Sequence, residues 1–140
     1  MHRFFLSITL VFSLALSLNT WAQADLIQSL ESGSPSESDL IKATHALSTP
    51  QARSIIEKAI AKAQPFPRKN LVNLLSHQQL IVRIGSLELL ENAAAEDFGF
   101  NPWDEPAKNE STQLALQRWK QWADSDSKIV SSSVKLSEEQ

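Results

Sequence analysis

Between residues 36 and 123, apolar side chains recur at steps of three and four. No stretch alternates with the period of two that a strand requires. Leu40, Ala43 and Leu47 predict a first helix that begins near Ser36, with Asp39 three positions on as an imperfect capping box. Thr49 and Pro50 predict the start of a second, Thr49 as N-cap and Pro50 at the first helical position, where its missing N–H costs nothing. Ala52, Ile55, Ile56, Ala59, Ile60 and Ala63 form its apolar stripe, and Pro65 and Pro67 end it. Leu71, Val72, Leu74 and Leu75 predict a short third helix, and 76–78 a brief turn. The next helix, over 80–95, is apolar on most of its circumference, which predicts burial by neighbours on more than one side. Gly85 in its interior disfavours the helix by about 1 kcal/mol relative to Ala, so a close approach of another helix is expected there. Gly99 and the Asn101-Pro102 pair end it. A last helix is expected with Pro106 at its first position, capped by Asp104 or Glu105, and with Ala115, Leu116, Trp119, Trp122 and Ala123 on one face. The fold class that follows is all-α.

The two ends of the chain read differently. His2 and Arg3 precede an uncharged, largely apolar run, and Ala22-Gln23-Ala24 places small residues where a signal peptidase inspects the chain. Residues 1–24 are therefore expected to be a cleaved secretory signal peptide, the alternative being a retained membrane anchor. Residues 25–35 are expected to be a flexible N-terminal segment, with one helical turn at 25–31 followed by a Ser-, Gly- and Pro-containing linker. The segment 124–140 is polar, Ser-rich and aperiodic, and is expected to be a disordered tail.

Charge and composition narrow the function classes. The leader carries Arg3 alone among the 13 basic and 16 acidic residues, so the remainder is acidic and has no basic run. That pattern argues against nucleic acid and anionic lipid as partners. There is no cysteine, which excludes disulfides, a lipid-modified N-terminal cysteine and thiolate metal sites. Three glycines in all leave no Gly-rich phosphate loop, and no G-x-S-x-G or H-E-x-x-H occurs. Beyond the leader only His45 and His77 remain, neither with an acidic residue at ligand spacing, and both read as structural or exposed. Glu96, Asp97, Asp104 and Glu105 do not match a calcium loop and read as helix caps and a solvated rim. No catalytic residue, metal site or cofactor site is expected, and no membrane segment after the leader.

The stretch "LVNLLSHQQLIVRIGSLELLENA" resembles a HEAT repeat: a short helix ending in Leu74-Leu75, a turn at 76–78, then Val82-Arg83 and the small residue Ser86. "HALSTPQARSIIEKAIAKA" looks like a weaker copy, with Ala52-Arg53 in the corresponding places, thirty residues earlier. The Phe-Gly-aromatic, Asn-Pro and "ALQRWKQW" elements that follow resemble the C-terminal end of HEAT-like proteins from bacterial envelopes. The turn at His77-Gln78 lacks the aspartate and proline of strong repeats. The resemblance implies a short α-solenoid of antiparallel helix pairs over 36–123 with a C-terminal capping helix. It also implies a protein-binding role in the periplasm, with another envelope protein as partner.

Five of the six aromatics beyond the leader fall between residues 97 and 122: Phe98, Phe100, Trp103, Trp119 and Trp122. Trp119 and Trp122 lie on the apolar face of their helix and are expected to pack inward, closing the end of the helical stack. Phe100 and Trp103 lie in the loop and are the candidate partner-binding residues. The expected function is a non-enzymatic protein-binding adaptor or complex subunit. The alternative is an envelope glycan (peptidoglycan) binder that uses the same loop aromatics.

Overall fold

The computed structural model describes residues 22–138, and the side chains of 22–125. The expected signal peptide lies almost wholly outside these residues. The described residues form six helices and no strand: α1 (22–31), α2 (Glu37–Ala46), α3 (Pro50–Lys62), α4 (Arg68–Leu74), α5 (Leu80–Ala94) and α6 (Glu110–Glu138). Among them, no helix is long and apolar enough to cross a membrane.

Helix α5 is the centre of the packing. It contacts α4, α2 and α3, while α4 also contacts α6. Val82, Leu89 and Leu90 of α5 meet Leu40 and Leu47 of α2, Ile56 and Ile60 of α3 and Leu71 and Leu75 of α4 in one core. This is the multi-sided burial that its continuous apolar run requires.

Local chemistry sets the helix ends. Ser36 caps α2 by accepting from the Asp39 N–H at 3.1 Å. Thr49 does not cap α3 through its side chain. Its hydroxyl donates back to the Ala46 carbonyl at 2.8 Å, so it satisfies the end of α2 instead. The start of α6 also differs from the expected one. Pro106 lies in a turn, and α6 begins at Glu110, where Asn109 Oδ1 accepts from the Thr112 N–H at 3.1 Å. Asp104 is committed elsewhere: its Oδ2 accepts from Asn101 Nδ2, Asn109 Nδ2 and the Thr112 hydroxyl, which pins the loop to the helix start.

The terminal segments hold more helix than their composition predicts. The helical turn expected at 25–31 is a helix over 22–31. Leu30 is fully buried, and Leu26 and Ile27 pack against the core. Leu30 stands four positions after Leu26 and three after Ile27, which is the spacing of a helix face. The linker that follows passes close to α3's end. A Cβ on Gly33, which has φ 80°, would overlap the Gln64 carbonyl. At the other end the chain does not leave helical geometry at 124. The α6 backbone runs on to Glu138, because the polar tail holds no Gly or Pro to stop it.

Helix α1 is tied to α2 by Ser29, whose hydroxyl donates to Asp39 Oδ2 at 2.6 Å. Hydrogen bonds from Ser29 and then Ser36 hold the Asp39 carboxyl below its ordinary value of 3.8. A carboxylate with a lowered folded pKa stabilises the fold above its unfolded value and loses that contribution as pH falls through the lower, folded one. The expected result is that Asp39→Asn lowers Tm at neutral pH and flattens the decline of Tm below about pH 4. Circular dichroism melts across pH check this, and parallel acid limbs in the two proteins would contradict it. Glu91 has the opposite sign: burial, then the nearby Asp97, raises its pKa, so acid relieves a penalty there.

Candidate functional site

The loop between α5 and α6 is built from its ends inward. Helix α5 stops at Ala95, which turns left-handed (φ 57°) and still donates to the Glu91 carbonyl. Phe98 is also left-handed, and the Gly99 N–H donates to Asp97 Oδ1 at 2.8 Å. The turn sends the Phe98 ring edge-on against Trp119, with 4.7 Å between centroids. Trp119 is fully buried and donates its Nε1–H to the Asp97 carbonyl at 3.1 Å. Trp122 stands edge-on to Trp119 at 5.4 Å and carries the Arg68 guanidinium 4.1 Å from its ring centroid. Trp119 thus holds the loop, and both helix tryptophans pack inward as their spacing predicts.

The two candidate residues part company. Phe100 is 4% exposed and belongs to the core, so its ring is not available to a partner. Trp103 is 70% exposed. The register of the loop explains the difference. Phe98 and Phe100 both face the helices, and the Asn101-Pro102 turn reverses the chain before Trp103. Asn101 Oδ1 accepts from the Trp103 N–H at 3.2 Å, an Asx turn that fixes this reversal. The indole is therefore presented on a backbone that a side-chain hydrogen bond holds in its turn.

Arg83 is the residue that composition and periodicity passed over. It is 6% exposed, on the most apolar helix of the chain. Its Nε donates to the Pro102 carbonyl at 2.9 Å, and its Nη1 to the carbonyls of His77 at 2.8 Å and Gln78 at 2.9 Å. One guanidinium thereby joins the α4–α5 turn to the residue before Trp103. The signal was visible as an arginine inside an otherwise apolar run, since a buried charge has to be satisfied by several acceptors. Arg53, which the repeat resemblance aligns with it, behaves differently. It stays exposed and pairs with Glu57 and Glu88 across α3 and α5.

His45 is exposed, with Nε2 3.2 Å from Gln79 Oε1, and His77 accepts the Gln79 N–H through Nδ1 at 3.1 Å. Among the described residues, no three His, Asp or Glu side chains come together to hold a metal ion. Compared with protein-family models, curated proteins and solved structures, the chain matches none significantly.

Proposed function

We propose that this chain is a non-enzymatic, exported protein-binding adaptor or complex subunit that acts in the periplasm on another envelope protein. In this reading α2 with α3 and α4 with α5 are two HEAT-like pairs of a short α-solenoid, and α6 is its capping helix. The observation that carries the proposal is Trp103, a large aromatic left 70% exposed on a loop whose other aromatics, Phe98 and Phe100, are half-buried and buried. Tryptophan offers a large apolar area and a ring N–H, and it is over-represented among the residues that dominate binding energy. An Asx turn below it and the Arg83–Pro102 bond beside it hold the backbone, which reduces the entropy lost when a partner is gripped.

The test is in-cell crosslinking of the tagged chain, with Trp103→Ala alongside, followed by affinity capture. A single dominant envelope protein is expected, with recovery reduced at least tenfold in the variant, as for loss of about 1.4 kcal/mol or more. Equal recovery from both proteins would sink the assignment of the contact to Trp103. Saturable quenching or shift of tryptophan fluorescence by peptidoglycan fragments, with no protein captured, would support the glycan alternative.

A further inference from the structure

Of the five N–H bonds of Arg83, three point at carbonyls and the two on Nη2 donate to nothing among the described residues. Nη2 is not sealed inside the protein either. The only fully enclosed side-chain polar atom lacking a partner among those residues is Ser86 Oγ. Arg83 lines a groove of about 590 Å³ between the 76–78 turn, the 105–107 loop and α6. That volume is in the range of small-ligand sites, roughly 300–1,000 Å³. His77 lines the same groove. Because its Nδ1 accepts a backbone N–H, the proton of the neutral ring is on Nε2, which is then a second donor. Glu105 stands at the rim, but Lys108 grips its carboxylate at 2.6 Å. Arg83 and Glu105 are the charged side chains that line this groove, and Lys108, paired with Glu105 from outside the lining, offsets the charge of Glu105 in a chain whose formal net charge is −3.

We propose that this groove binds a carboxylate of a partner polypeptide, with Arg83 Nη2 and His77 Nε2 as donors and the Trp103 indole covering the adjoining residue. The proposal rests on the reading that the loop carrying Trp103 meets a protein. A carboxylate fits because it is planar, singly charged and an acceptor on both oxygens, matching a guanidinium edge held in a place of low solvent access. A phosphate dianion fits less well, since Arg83 matches one negative charge and Lys108 is held by Glu105.

The test is a titration of the ¹⁵N-labelled full chain with acetyl-Ala-Leu-Phe bearing a free carboxylate, and with the same peptide as its C-terminal amide. The acid is expected to shift the Arg83 Nε–H and the Gln78 and Ala107 amide signals saturably, and the amide to leave them in place. Glu105→Gln, at an exposed position, is expected to tighten binding of the acid by about threefold, the scale of one exposed charge. Equal shifts from acid and amide, no shift from either, or tighter binding of inorganic phosphate than of the acid would overturn the proposal. The two readings fail separately. Partner capture that depends on Trp103 without discrimination of acid from amide leaves the adaptor standing and removes the carboxylate site. Discrimination retained in full by Trp103→Ala supports the carboxylate site and removes the indole from it.

Discussion

Trp119→Ala is expected to destabilise the protein by about 3–5 kcal/mol, the range for truncating a buried tryptophan. For a small domain whose whole stability is of order 5–15 kcal/mol, that leaves little of the fold. Three losses combine at this position. The side chain is fully buried, so its removal leaves a large cavity beside α4. Phe98 and Trp122 lose their edge-on partner, each such contact being worth about 0.5–1.5 kcal/mol beyond area. The Asp97 carbonyl loses its donor. The loop that displays Trp103 is anchored through Asp97 and Phe98, so it is expected to loosen as well. Guanidinium unfolding of the two proteins, followed by far-ultraviolet circular dichroism, checks the number. A loss below about 1 kcal/mol would show that the interior repacks around the gap. Trp122→Ala is the internal comparison and is expected to cost less, because that ring is only half-buried.

Gly85→Ala is the second large effect, and its sign is the opposite of what helix propensity suggests. In an exposed helix the change would stabilise by about 1 kcal/mol. Here the added Cβ would stand 2.6 Å from Thr44 Cβ and 2.9 Å from Thr44 Cα. Both atoms belong to the body of α2, so no side-chain rotation relieves the clash, and α2 must move away from α5. Overpacking of this kind costs about 1–3 kcal/mol, occasionally more, and α2 is a principal neighbour of the central helix. Adding Thr44→Ala is expected to recover little, because Cα and Cβ remain and only Cγ2, at 3.1 Å, is removed. Thermal melts of the single and double variants check this. A Gly85→Ala protein as stable as the parent would mean that α2 slides freely on α5.

The candidate site divides along the same line as these two variants. That Trp119 and Trp122 would pack inward was legible, because steps of three and four place them with Ala115 and Ala123 on one helix face. That Phe100 would be buried and Trp103 exposed was not. In an irregular loop no period relates sequence position to direction. The outcome depends on a left-handed Phe98, the Asx turn at Asn101 and where α4 and α6 stand. The start of α6 was misplaced for a similar reason. Asp104 had the right chemistry for a cap, but three donors from Asn101, Asn109 and Thr112 claim its carboxylate. Over 25–35 the linker composition and the apolar face of Leu26, Ile27 and Leu30 point different ways, and only the presence of a core to receive Leu30 settles that competition.

By itself, then, the sequence determined the helical class, the positions of α2 to α5 to within about three residues, the need for close approach at Gly85 and the inward face of α6. All of these follow from local rules: periodicity, proline and capping chemistry, and the absence of a Cβ. The tertiary structure alone decided what was brought together across the chain. It bonded the Arg83 guanidinium to the Pro102 carbonyl, set Arg83 in the wall of a groove, drew Phe100 into the core and left Trp103 outside it. Those outcomes are competitions between distant groups for the same carbonyls, carboxylates and buried volume, and a competition of that kind has no local signature.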